Sequence, residues 1–222
     1  MEQSSIGRRS PLALLQSVPL FAGLPENQVY QIARMAGVRK VSRNTTIVRV
    51  GERTDALYVL VSGSAKVLNR DAEGREVILS LLGAGECFGE MGLIDGSPRS
   101  ADVVACEACE LLLIAKADFA RALSENVDLC LNMMKSLADR LREANRKIES
   151  LALLDVYGRV AKLLLDFSEL ENGQRVIRRK ISKQDMAKMV GASREMVSRV
   201  MKDLQARGYV RSENGVLLLA LD

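Results

Sequence analysis

Four glycines, Gly63, Gly74, Gly83 and Gly85, sit between short β-type runs in the stretch from Val38 to about Ile114. This punctuation constrains the fold more than any other feature of the chain. Leu57, Val59 and Val61 alternate with opposite-face residues, as do Ala65 and Val67, and then Val77, Leu79 and Leu81. Many short strands divided by turn residues predict a jelly-roll or β-roll barrel. Residues up to about Gly37 read as helical, with Pro19 and Pro25 as breaks.

After Asp118 the period changes and stays helical. Cys130, Leu137, Ala144 and Leu151 repeat every seven residues, with Met134, Leu141 and Ile148 interleaved. Arg140, Arg142, Glu143, Arg146 and Glu149 flank this 3-4 seam, the pattern of a coiled coil. A helix packed on its own domain is the alternative. The length of the seam favours a parallel homodimer through Met134, Leu137, Leu141, Ala144, Ile148 and Leu151.

From Asp155 onward the reading is a helix over Tyr157 to Leu170, closed by Asn172-Gly173. Ser182, with Asp185 three residues on, caps a helix that runs to about Val190, and Gly191 makes a turn. Ser193 caps a second helix with Val197, Val200, Met201 and Leu204 inward. Arg194, Glu195, Ser198, Arg199 and Lys202 share its outward face. This is a helix-turn-helix layout, with an ordinary helical hairpin as the alternative. Asn214-Gly215 between apolar runs predicts a hairpin wing. Charge supports a polyanion partner for this part. Residues 1–154 carry 19 basic and 19 acidic residues, whereas 155–222 carry 13 and 9.

The chain has no histidine, which removes His-based triads, histidine zinc sites and histidine-ligated haem. Cys106-x-x-Cys109 has no second pair to complete a site, and Val103 to Ile114 reads largely as strand, on which residues three apart face opposite ways. Cys87, Cys106, Cys109 and Cys130 are therefore expected to be buried small residues. No metal, haem or iron–sulfur cluster is expected, and no enzyme. No apolar run reaches 18 residues and no signal-peptide pattern opens the sequence, so the expectation is a cytoplasmic protein with no membrane span.

The segment Phe88 to Asp102, FGEMGLIDGSPRSAD, carries the ligand chemistry. Gly89 permits close backbone approach. A helical turn from Glu90 to Ile94 would offer N–H groups to an anion. Arg99 supplies a planar fork for phosphate, and Glu90 an acceptor for a sugar hydroxyl. A surface loop with a turn at Gly96-Ser97-Pro98 is the plain alternative.

This segment resembles the phosphate-binding cassette of cyclic-nucleotide-binding domains, as found in the CRP/FNR family of bacterial regulators. The resemblance extends over residues 12 to 220. It includes LALLDVYGRVAKLLL (Leu151 to Leu165), the family's hinge, and the second helix of the helix-turn-helix, its recognition helix. The N-terminal cysteine cluster of the family's iron–sulfur oxygen sensors is absent. The fold it implies is α+β: an N-terminal β-roll over residues 1–123, a dimerisation helix over 124–154, and a winged helix-turn-helix over 155–222.

By position, Gly89 and Glu90 match the family's glycine and ribose-binding glutamate, and Arg99 and Ser100 the pair that holds the cyclic phosphate. Leu79 and Ser80, with Ala144 and Asn145, fall where the base would lie. Cyclic-AMP-responsive members carry threonine and serine where this chain has Ala144 and Asn145, so the base contact is altered. Arg194, Glu195 and Arg199 match base-reading residues, and Ser182 and Gln184 phosphate-contacting ones; Ser198 shares that face. The resemblance thus implies a dimeric regulator of double-stranded DNA reading TGTGA-like palindromic half-sites, with RNA polymerase as a partner. Cyclic AMP is the favoured effector. Cyclic GMP and cyclic di-GMP stay open, as do a ligand-blind regulator and a cyclic-nucleotide module of an enzyme or channel.

Overall fold

The computed structural model describes residues 11–213 and 215–220. Among them the chain divides into two compact units. One takes in the residues up to Glu73 with Leu79–Arg140, the other Leu141–Asp222 with Gly74–Ile78.

The first unit opens with α1 (Pro11–Gln16), a short 3-10 turn (Pro19–Phe21) and α2 (Glu26–Met35). Eight strands follow: β1 (Gly37–Val41), β2 (Thr46–Val48), β3 (Ala56–Ser62), β4 (Ala65–Arg70), β5 (Glu76–Leu82), β6 (Cys87–Phe88), β7 (Asp102–Ala105) and β8 (Cys109–Ala115). The short helix α3 (Met91–Asp95) lies between β6 and β7. The strands form two four-stranded sheets, ordered β1-β8-β3-β6 and β2-β7-β4-β5. Tyr58, Leu60 and Leu111 of the first sheet share a core with Ala65, Leu82 and Val103 of the second, as expected of a β-roll. Tyr58 stacks on Phe88 within that core, centroids 5.1 Å apart.

Strand β3 is buried on both faces. Tyr58 and Leu60 point into the roll, while Leu57 and Val59 pack against helices with Phe21, Ile32 and Phe119. On β5 the apolar alternation runs opposite to expectation: Ile78 and Leu82 are buried, whereas Val77 and Leu79 are exposed. All but one of its seven residues are apolar or serine, so the sequence alone did not mark the inward face.

Val103 to Ile114 is two strands, not one. Cys106 lies in the turn between β7 and β8, and Cys109 opens β8. Only Cys109 is buried; Cys87, Cys106 and Cys130 are partly so.

Helix α4 (Lys116–Glu125) leads into α5 (Val127–Leu153). Leu129 and Met133 of α5 are buried in the helix-facing core, and Leu137 leans on it. Met134, Leu141, Ile148 and Leu151 stay more than half exposed.

The second unit contains α6 (Val156–Asp166), β9 (Glu169–Glu171), β10 (Gln174–Ile177), α7 (Lys183–Val190), α8 (Arg194–Ala206), β11 (Val210–Glu213) and β12 (Val216–Leu219). Val160, Leu164, Met186, Val190, Val197, Met201 and Leu204 make its core. Asp155 caps α6 by accepting from the Gly158 N–H at 2.8 Å. The expected helix to Leu170 stops earlier. Asn172 and Gly173 both have positive φ, 48° and 82°, and join β9 to β10 as a tight hairpin instead of closing a helix. An Asn-Gly pair fits the primed turns whose twist matches paired strands. The wing is β11 paired with β12; Asn214 of its expected turn lies outside the described residues.

Candidate nucleotide site and nucleic-acid interface

Strand β6 delivers Gly89 at the mouth of the roll. Its φ of 86° suits glycine, and a Cβ there would overlap Arg99 Nη1. Gly92 in α3 is equally confined, since a Cβ would overlap Ser97 O and Thr54 Oγ1. Thr54 is buried and donates to the Ser97 carbonyl at 3.0 Å, which ties the cassette to the loop that leads into β3.

Arg99 is buried, with 6 % of its surface exposed. Nη1 donates to the Gly89 carbonyl at 2.9 Å, and Nη2 to the Ala56 carbonyl at 2.8 Å and to Asp55 at 3.4 Å. The guanidinium lies 5.4 Å from the Tyr58 ring centroid. These contacts fix the fork in place while leaving two of its five N–H donors for an anion. The exit of the cassette is held as firmly. Asp102 accepts from the Val50 N–H at 2.8 Å and pairs with Arg70 of β4.

Glu90, at the start of α3, is 2 % exposed. Its Oε1 meets Arg140 Nη1 of α5 at 2.5 Å, and Arg140 Nη2 donates to the Cys87 carbonyl. Glu90 Oε2 is sealed from solvent and has no hydrogen-bond partner among the described residues. An acceptor left in this state costs about 1–3 kcal/mol, so the site is suited to a ligand hydroxyl. Burial pushes the neighbouring Cys87 thiol up to about 12, with Arg140 pulling it back in part.

Of the expected ligand residues, the roll brings together Gly89, Glu90, Arg99 and Ser100. Leu79 and Ser80 are adjacent on β5 and point to opposite faces, so only one of them can line a given wall. Ala144 and Asn145 are exposed on α5, one turn beyond Arg140. Arg140 joins this set only through the tertiary fold. It read only as a flanking charge, although its place four residues before Ala144 puts both on one helix face.

In the second unit Ser182 accepts from the Asp185 N–H at 3.0 Å and Ser193 from the Met196 N–H at 3.2 Å, capping α7 and α8. Gly191, with φ 62°, makes the turn between them. Arg194, Glu195, Arg199 and Lys202 are exposed along α8, and Gln184 on α7. Ser198 is half-buried, with Lys183 Nζ 3.4 Å from its hydroxyl. Backbone hydrogen bonding and the Ser193 hydroxyl hold the Glu195 carboxyl below its ordinary value, which keeps it an acceptor. A capped helix carrying arginines and a carboxylate on its outer face has the chemistry of major-groove reading.

A β-roll with a nucleotide cassette, followed by a long helix and a winged helix-turn-helix, defines a ligand-sensing DNA-binding regulator. Comparison with known proteins agrees. Residues 38–126 match the model of the cyclic nucleotide-binding domain, and residues 158–222 that of the Crp-like helix-turn-helix domain. The chain is 36% identical over 191 residues to the cAMP-activated global transcriptional regulator Vfr of Pseudomonas aeruginosa, covering 82% of this chain and 88% of Vfr. It is 34% identical over 189 residues to the cAMP-activated global transcriptional regulator CRP of Escherichia coli O157:H7, covering 82% and 89%. Among solved structures it is similar to the c-di-GMP responsive global regulator CLP of Xanthomonas campestris. That match has a TM-score of 0.75 and 30% identity, over 89% of this chain and 100% of CLP. The chain belongs to the CRP/FNR family of transcription regulators. It is a DNA-binding regulator with a cyclic-nucleotide-binding domain, and its close relatives are regulators rather than enzymes. Among the described residues no helix is long and apolar enough to cross a membrane.

Proposed function

We propose that the chain acts as a homodimer whose affinity for palindromic, TGTGA-like DNA is set by a cyclic mononucleotide in the β-roll, with cyclic AMP the first candidate. The observation that carries this reading is Glu90: buried, one oxygen on Arg140 of α5, the other orphaned beside the cassette. A ribose hydroxyl would supply the missing donor, and the phosphate would sit against α3 and the remaining N–H groups of Arg99 with Ser100. Because Arg140 belongs to α5, a ligand at Glu90 acts on the helix that leads toward the DNA-binding part. Ala144 and Asn145 stand beyond it on α5 as base-reading positions. Coupling then requires the ligand to bind one pose of the regulator more tightly than another.

The exposed apolar residues Met134, Leu141, Ile148 and Leu151 are the dimer face, with Leu137 at its margin, shared with the domain's own core. Arg194, Glu195 and Arg199 read bases, while Ser182, Gln184, Ser198 and Lys183 contact or support the backbone-facing side. The likeness to CLP favours cyclic di-GMP as the second reading of the effector. Calorimetry of the full chain against cyclic AMP, cyclic GMP and cyclic di-GMP tests the effector. Saturable binding of a mononucleotide that Arg99→Leu removes supports the proposal, and tight cyclic di-GMP binding with no mononucleotide binding replaces it.

A further inference from the structure

A second orphaned acceptor lies beside the cassette. On β4, Val67 stands opposite Val103 and packs in the core of the roll. Asn69 follows two residues later, on the same inward face. Its Nδ2 donates to the Ser100 carbonyl at 3.3 Å. That bond fixes the amide, since the flipped orientation would set two oxygens against each other. The Oδ1 atom is then sealed from solvent with no partner among the described residues. Ser100 leads back to the other orphan, because its hydroxyl lies 4.0 Å from the sulfur of Met91, the neighbour of Glu90. Two buried acceptors thus flank one cassette, and native folds leave few such atoms unmatched without reason.

We propose that Asn69 is a specificity residue for guanine, accepting a hydrogen bond from the 2-amino group of cyclic GMP. The inference rests on the reading that the cassette holds a cyclic nucleotide. Glu90 is matched to the ribose, so Asn69 is left to meet the base. Its place beside Ser100, at the phosphate end, selects which edge of the base arrives there. A purine in the syn arrangement lays its pyrimidine edge over the sugar and phosphate, with the 2-position nearest the phosphate. The 6-amino group of adenine points away from that end. Guanine alone of the two purines carries a donor at the 2-position, and a side-chain amide oxygen is an acceptor for it. Asn69 therefore gives this chain a contact that lowers its preference for adenine over guanine.

The test is calorimetry of the full chain with cyclic GMP and cyclic IMP, which differ only by the 2-amino group. Wild-type protein is expected to bind cyclic GMP about tenfold more tightly than cyclic IMP, the worth of one buried hydrogen bond. In Asn69→Leu the two affinities should come within about twofold of each other; freeing the Ser100 carbonyl weakens all cyclic nucleotides together and leaves that ratio as the readout. Equal affinity of the wild type for both guanine-type ligands overturns the assignment, and this comparison needs no variant. If cyclic AMP binds while neither of the others does, Asn69 is wrong and the cassette reading stands. If none of the three binds, the cyclic-mononucleotide reading of the cassette fails and the Asn69 assignment falls with it.

Discussion

Arg140 of α5 closes on Glu90 of the cassette, Nη1 to Oε1 at 2.5 Å, across fifty residues of sequence. The pair joins the nucleotide cassette to the helix that carries the apolar seam. Glu90 is almost wholly buried while Arg140 is 39% exposed, so the carboxylate bears most of the desolvation and solvent screens part of the attraction. Arg140→Ala should lower unfolding free energy by about 1–3 kcal/mol in urea titrations, because the Glu90 charge is left buried without its cation. Adding Glu90→Gln to that variant should recover part of the loss. A double variant no better than the single one would mean that Arg140 acts through its other contact, the Cys87 carbonyl.

The cassette has no room at Gly92. Gly92→Ala forces a methyl onto a backbone carbonyl and the Thr54 hydroxyl. The α3 turn must shift, and with it the N–H groups offered to phosphate. Nucleotide binding should be lost and the melting temperature lowered, both measurable on purified protein. Retained nucleotide affinity would show that the anion is held by Arg99 and Ser100 alone.

Base reading is expected on α8. Arg194→Ala and Arg199→Ala should each cost about 1–3 kcal/mol on a TGTGA-type palindrome and less on random DNA. Fluorescence anisotropy on the two DNAs separates the effects. Equal losses on both would assign these arginines to phosphates. Ser193→Ala should instead destabilise the fold by about 0.5–2 kcal/mol, since it removes the cap of α8.

Much of this was legible in the sequence, and the failures have physical causes. Both helix caps, the turn at Gly191 and the inward set on α8 follow local rules, and local rules suffice where neighbours in sequence are neighbours in space. Gly89 and Arg99 were recognisable by type and spacing. Their ordering was not, because it depends on carbonyls of Ala56 and Gly89 brought in by pairing across the roll. Asn69 gave no signal for the same reason, as its partner lies 31 residues away. Asn172-Gly173 reads as a helix stop in the sequence because a strand pair as short as β9–β10 leaves almost no periodicity. On α5 the seam was visible, but its division between the domain's own core at Leu129 and Met133 and the exposed set was not.

The Cys87 thiol should be inert at neutral pH. Its value near 12, raised by burial from an ordinary 9.0, keeps it protonated in the folded state. Mass spectrometry after alkylation at pH 8 should find Cys87 unmodified until the protein is unfolded. The sign of the linkage follows: the folded state holds this proton more tightly, so its stabilising contribution is complete below pH 9 and declines as pH rises toward 12. Rapid labelling of Cys87 in the native protein would contradict the packing around Arg140.

The seam on α5 should hold the dimer. Leu141→Asp places like charges facing each other across the axis, which a closed seam cannot solvate. Sedimentation should report a monomer, and palindrome binding should fall with it. A variant that still sediments as a dimer would exclude the coiled-coil face.

The most direct measurement is the affinity of the full chain for a TGTGA-type palindrome, read by anisotropy as cyclic AMP is titrated. The account predicts a rise of at least about tenfold, saturating with the nucleotide and absent in Arg99→Leu, since a ligand shifts the equilibrium only by its differential affinity for the two poses. An affinity that stays constant under cyclic AMP, cyclic GMP and cyclic di-GMP alike, in a protein that binds the palindrome, would contradict it.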